Sequence, residues 1–241
     1  MSTSLLSRLL AALTLMALSL SAASAQAQER QTRPVAGDFQ RVASSGGIDV
    51  YLTQGPAAAV AVEATPEALP HIVTEVQNGT LSIHWEQGFF LRSLSWRGRL
   101  AKVYITAPRL SGLTLSGGAD AHGQTPILAD DFRIQASGGS DVTLTLQAKT
   151  LRAEASGGSD LTLSGKVERQ ELSFSGGSDY HGFGLQSTTA SIEASGGSDA
   201  DAWVEGELSA SASGGSDLRY RGAGRVSSVR AGGSSGVRHV Q

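Results

Sequence analysis

Ser137-Gly138-Gly139-Ser140-Asp141 decides the fold, because it keeps returning along the chain. The same five-residue pattern, with one position relaxed, ends at Asp49, Asp120, Asp141, Asp160, Asp179, Asp199 and Asp217. A degenerate copy, Gly232-Gly233-Ser234-Ser235, follows with Ser235 in the Asp place. From Asp120 onward the steps are 21, 19, 19, 20, 18 and 18 residues. A period of about twenty residues marks a repeat architecture in which each unit buries its apolar side against its neighbours.

Aligned on the Asp, the next residue is Ala121, Val142, Leu161, Tyr180, Ala200 or Leu218. Two positions further lie Leu144, Leu163, Ala202 and Tyr220, with Gly123 and Gly182 in the other two copies. Between them stand His122, Thr143, Thr162, His181, Asp201 and Arg219. This is the period-two alternation of a half-buried strand. The same alternation precedes the turn, with Leu115, Ala136, Ala155, Phe174, Ala194 and Ala212 inward and Gln135, Glu154, Ser173 and Glu193 among the outward residues. Each repeat therefore reads as strand, Ser-Gly-Gly turn, strand, connection. Nothing recurs at helical spacing, and the stack that fits is a parallel β-helix of about seven coils, a rod roughly 30 Å long at strand spacing. Many inward residues are Ala, so the opposite walls sit close together.

Gly suits a sharp corner because it accepts positive φ, and Ser and Asp suit it because their side chains bond to local backbone. The Asp column needs a further account. Carboxylates one rung apart repel by about 0.9 kcal/mol per pair in water. Turn capping by backbone N–H groups is the leading reading. A Ca²⁺ ladder on Asp120, Asp141, Asp160, Asp179, Asp199 and Asp217 is the alternative, and no other cofactor is implied. The Ca²⁺-binding nonapeptide repeat places its Asp differently and recurs every nine residues, so it does not transfer.

The 241 residues include no Cys and 30 Gly, and the net charge is −3 with the basic residues scattered, which excludes a nucleic-acid footprint. Arg8, the apolar run Leu9 to Leu20 and Ala23-Ser24-Ala25 read as a secretory signal peptide over residues 1–25, with Ala25-Gln26-Ala27 as the alternative cleavage pattern. No later stretch is long and apolar enough for a spanning helix. Export to the periplasm, the cell surface or the medium is expected. Residues 26–37 read as a flexible leader, and 38–241 as one domain with an insertion at 53–110 and regular coils at 111–241.

Within the insertion, Ala58 to Ala64 reads as a strand and Thr65-Pro66-Glu67 as a helix start cut short by Pro70. Glu75 to Ile83 reads as a hairpin about Asn78-Gly79, and Lys102 to Thr106 as a strand. Residues 87–99 gather Phe89, Phe90, Arg92, Trp96 and Arg97, the residue types that dominate binding hot spots. Two readings stand for this loop: a partner-binding segment, or a cover over the end or flank of the rod. At the far end Arg230, Arg238 and His239 read as capping residues of an atypical last repeat.

Ser45-Gly46-Gly47-Ile48-Asp49-Val50-Tyr51-Leu52-Thr53-Gln54-Gly55, the strand Val103 to Leu110 and the Ser-Gly-Gly-Ser-Asp coils resemble a bacterial family, the putative auto-transporter adhesin, head GIN domain family, a domain of unknown function. The name echoes Gly-Ile-Asn, where this chain has Gly47-Ile48-Asp49. The resemblance spans roughly residues 38–220. It implies a right-handed parallel β-helix with a small extra β element in an exported protein; a chain of this length leaves no room for a translocating barrel beyond the repeats.

No catalytic set is evident. His122 and His181 hold equivalent places but stand three coils apart, about 14 Å at strand spacing, too far to share a metal. Glu154 and Glu193 are equivalent pre-turn residues two coils apart, with Ser173 between. The expected function is a non-catalytic, exported, adhesin-like interaction module of the envelope or surface, binding a protein or glycan. The alternatives are a polysaccharide lyase or hydrolase and a Ca²⁺-stabilised spacer. The flat Ser/Thr faces and the rod ends also offer surfaces for a homo-oligomer.

Overall fold

The computed structural model describes residues 28–88 and 101–241. Among them it is all-β, a solenoid of about seven stacked coils with no α-helix. The regular part contains β8 (Gly112–Ser116), β9 (Ala121–Gly123), β10 (Ile127–Ser137), β11 (Val142–Gly157), β12 (Leu161–Gly176), β13 (Tyr180–Ala194), β14 (Ala200–Ala212), β15 (Asp217–Arg221), β16 (Arg225–Ala231) and β17 (Gly236–His239). All pair in parallel, and equivalent repeat positions face each other: Val142 opposite Leu161, Ala155 opposite Phe174, Ala194 opposite Ala212. Each long strand runs from one Ser-Gly-Gly corner almost to the next. It bends at a second corner where Asp130 and Lys149 drop out of the pairing and form an ion pair at 2.7 Å.

The alternating residues fill the core as expected, with Leu144, Leu163, Ile134, Leu172 and Ile192 fully or nearly fully buried. Its thickest part is local. Phe174 and Tyr180 stack at 5.3 Å, and the Tyr180 ring fills the space over Gly182, where a Cβ would lie 2.2 Å from it. One inward place is polar. Gln170 stands in register with Leu151, fully buried, its Oε1 accepting the Tyr180 hydroxyl at 2.7 Å and its Nε2 donating to the Leu185 carbonyl at 3.3 Å. A buried amide is tolerated when both ends are bonded.

The described residues before β8 build the other end of the rod. β2 (Arg41–Ser45) and β3 (Ile48–Gln54) flank the first corner. β4 (Ala59–Ala64), β5 (Ile72–Gln77), β6 (Thr80–Trp85) and β7 (Ala101–Ala107) follow. β2 pairs in parallel with β6 on one side and β8 on the other, and β3 likewise with β7 and β9. The chain therefore lays down the β2–β3 coil, builds the β6–β7 coil on its outer side, then passes back over it to continue at β8. β5 closes one face antiparallel to β6, and β4 closes the other antiparallel to β7. Asn78 (φ 50°) and Gly79 (φ 72°) form the two-residue turn between β5 and β6, the conformation that Asn-Gly favours.

Three local expectations change. The helix start at Thr65 is a turn: the Thr65 carbonyl accepts the Ala68 and Leu69 amides, and a single 3-10 turn, Leu69–His71, leads directly into β5. Pro70 supplies no N–H, and Ile72 is already paired with Trp85, so no second turn fits. Within the stretch expected to be a flexible leader, β1 (Glu29–Arg33) pairs antiparallel with β4 as an edge strand. Its side chains are almost all exposed; backbone pairing, the Arg33 Nη2 bond to the Leu69 carbonyl at 2.5 Å and Arg30 over Tyr104 at 3.9 Å hold it. Finally, the last corner shifts by one residue. Gly236, not Ser235, stands opposite Asp217, and Ser235 bonds the Gly232 carbonyl as Ser216 bonds that of Ser213.

Candidate functional site

The corners place one conspicuous column on the surface. Asp120 N–H donates to Asp49 Oδ1 at 3.2 Å, Asp141 to Asp120 at 2.9 Å, Asp160 to Asp141 at 3.1 Å, Asp179 to Asp160 at 3.2 Å, Asp199 to Asp179 at 3.1 Å and Asp217 to Asp199 at 3.0 Å. Each carboxylate thus caps the amide of the next coil instead of its own turn. The local bond belongs to Ser: Ser140 Oγ donates to the Ser137 carbonyl at 3.0 Å and Ser178 Oγ to that of Ser175 at 3.1 Å. Ser140, Ser159, Ser178, Ser198 and Ser216 are fully buried beneath the corners. The column ends at Asp217, whose Oδ2 lies 3.8 Å from Arg238. At its head, burial pushes the Asp49 carboxyl above the usual range, opposed by the Asp120 N–H. Lys102 is its register partner on the neighbouring strand. Among the described residues no three His, Cys, Asp or Glu side chains converge.

The face that follows the corners carries aromatic residues near the column's head. Tyr51 stacks on Tyr104 at 5.0 Å and meets the His122 ring tilted at 5.1 Å, and the Arg30 guanidinium lies over the Tyr104 ring. The rings face one another along the rod, so their flat faces are spent on joining β7, β3 and β9. Further along, Arg219 makes a two-pronged bond to Asp201 at 2.7 and 2.9 Å. Glu205 accepts the Trp203 indole N–H at 2.6 Å and the Ala223 amide at 3.2 Å, bonds that hold its carboxyl below the usual range.

The face that precedes the corners is concave. Two adjoining depressions of about 550 and 510 Å³ share Glu154 and Ser173 and reach from Thr114 to Ser227. Outward Ser173, Ser191 and Ser209 floor the wider part. Arg133 bonds Glu154 at 2.5 Å, Gln135 bonds the other Glu154 oxygen at 3.1 Å, and Arg152 bonds Glu171 at 2.7 Å. Glu193 and Glu207 also line it.

Glu154 and Glu193 therefore share a depression, with both Glu154 oxygens occupied by neighbours. His122 and His181 lie three coils apart along one register line, through Thr143 and Thr162. Phe89, Phe90, Arg92, Trp96 and Arg97, the expected partner-binding residues, lie outside the described residues. The concavity itself is not signalled in the sequence, because outward Ser and Glu look the same on any solvated strand.

The solenoid is similar to solved structures. It matches a putative adhesin from Bacteroides fragilis with a TM-score of 0.81 at 18% identity, over 90% of this chain and 98% of that one. It matches a putative lipid binding protein from Parabacteroides distasonis with a TM-score of 0.67 at 18% identity, and a putative adhesin from Parabacteroides merdae with 0.66 at 17%, each over 90% of this chain and 98% of the other. Likeness at this identity establishes the fold alone. No match is found among curated proteins. The family model of the putative auto-transporter adhesin, head GIN domain matches residues 38–224, and the chain belongs to that family.

Proposed function

We propose that the chain is an exported, non-catalytic, adhesin-like module of the cell envelope or surface, and that the concave face before the corners is its binding face. The observation that carries this is the pair of adjoining depressions reaching from Thr114 to Ser227 on a rigid sheet. A groove built on strands holds its side chains in place before a partner arrives, which lowers the ordering cost of binding. The absence of catalysis rests on a narrower point. A glycosidase needs one carboxyl free to give a proton and a second free to attack or activate water. Glu154 spends both oxygens on Arg133 and Gln135. The family's adhesin name and the adhesin names of two structural relatives agree with a surface role, as does the signal peptide expected over residues 1–25.

The test is binding of the purified chain to envelope preparations, alongside Ser191→Arg and Ser209→Arg. Each Arg fills the groove floor without touching the core. Binding should fall at least tenfold while the melting temperature stays unchanged. Undiminished binding refutes the assignment of the face. Turnover of a polysaccharide panel that is lost in Glu193→Gln refutes the non-catalytic reading.

A further inference from the structure

We infer that the groove takes a neutral, extended glycan lying along the rod, about one sugar to a coil. This rests on the concave face being the binding face and goes on to name its occupant. The first argument is the lining. Thr114, Gln135, Ser173, Ser191 and Ser209 offer hydroxyl and amide groups that both donate and accept, the chemistry that matches sugar hydroxyls. The large side chains of the groove are Arg and Glu, and no aromatic side chain lines either depression. An apolar helix or a hydrophobic protein patch has nothing there to bury against.

The second argument is charge. Arg133 with Glu154 and Arg152 with Glu171 neutralise each other in pairs, and Arg169 faces the same depression as Glu193 and Glu207. Counting Arg133 at its edge, the groove carries three guanidiniums against four carboxylates, a small net negative charge spread over its length that repels a polyanion and gives a polycation only a weak attraction. The planar groups of Arg169, Glu193 and Glu207, which line the depression beside these pairs, can each donate or accept two parallel hydrogen bonds, which suits adjacent hydroxyls on a pyranose ring.

The third argument is period. Equivalent outward positions recur every rung, about 4.8 Å, close to the advance of one sugar in an equatorially linked, extended chain. Such a chain passes a polar side chain at every coil, along the line Thr114, Gln135, Glu154, Ser173 and Glu193. The groove spans seven coils from Thr114 to Ser227, so it holds about six sugars. Each contact is weak and exposed, so affinity must be built by length.

The experiment is calorimetric titration of the purified chain with neutral cello-, manno- and xylo-oligosaccharides of two to eight sugars, with oligogalacturonate and chitosan oligomers as charged counterparts. At least one neutral series should gain several-fold in association constant per added sugar and level off near six. Ser191→Arg and Ser209→Arg should remove the gain at unchanged melting temperature. The inference is overturned if no neutral series shows length dependence, if a charged series binds more tightly, or if the floor variants bind as wild type does. Loss of envelope binding in the floor variants without any oligosaccharide binding would sink the glycan and leave the face assignment standing. Unchanged envelope binding would sink the face assignment as well.

Discussion

Burial pushes the Asp49 carboxyl, at the head of the corner column, above its ordinary value. A folded-state value above the unfolded one means that the folded chain holds the proton more tightly. Ionisation at neutral pH then works against folding, and the penalty disappears once the pH falls below the unfolded value. An Asn at this place keeps an oxygen for the Asp120 N–H and carries no charge to desolvate or to repel Asp120. It is also the residue named in the family's Gly-Ile-Asn. Asp49→Asn should therefore melt above wild type at pH 7, by a few tenths of a kcal/mol for a half-exposed group, with the difference gone at pH 3. Parallel melts at the two pH values decide it; a variant that melts lower at pH 7 shows that the charge itself, facing Lys102, is what the site uses.

At the scale of the corner, the two glycines of the turns at 157–158, 176–177, 196–197 and 214–215 separate into different roles, the first alone having positive φ. Gly176 has φ +81°, and a Cβ there would lie 2.8 Å from the Gly157 carbonyl oxygen of the coil beneath. Gly158 has an ordinary φ, and a Cβ there would meet nothing within 4 Å. Gly176→Ala thus adds a left-handed backbone cost and a clash with backbone that cannot turn aside, and should cost about 2 kcal/mol or more. Gly158→Ala should stay within about 0.5 kcal/mol of wild type. Urea denaturation of both variants checks the contrast, and equal losses would mean that the pair acts as one unit. Strands and corners were legible in the sequence because their signals are local: alternation within a strand, and Ser-Gly-Gly-x-Asp at its end. Gln170 was not, since a lone polar residue in an inward place has meaning only once the Tyr180 hydroxyl is known to meet it. β1 was not, because an edge strand with no buried side chain leaves no alternation to read. The groove was not, because depth depends on how neighbouring coils stagger their long and short side chains.

Over the whole molecule, the placement of residues 53–110 was the part that pattern could not reach. The described strands β6 and β7 of the expected insertion stack on the outer side of β2 and β3, while β8 and β9 continue the rod on the other side, so the partners of β2 and β3 lie far apart in sequence. One consequence is that Asp49, separated from Asp120 by 71 residues, joins the same column. That column is then a line of seven carboxylates bonded amide to carboxylate through the described length of the rod, with Lys102 beside its head and Arg238 beside its foot. Neighbouring charges repel by about 0.9 kcal/mol per pair in water at one rung. Six amide donors offset this from within the fold, and salt weakens what remains, since the screening length falls from about 10 Å at 0.1 M to about 3 Å at 1 M. If backbone capping is the whole account, thermal stability should rise smoothly with NaCl, and CaCl₂ at equal ionic strength should give the same curve. Oδ1 of six of the seven carboxylates is committed to an N–H, which leaves a cation only single oxygens one rung apart, far fewer ligands than the six to eight that Ca²⁺ takes. A melting temperature that jumps at millimolar Ca²⁺, returns with EDTA and no longer jumps in Asp160→Ala would overturn this, and would make the column a cation ladder that stiffens the rod.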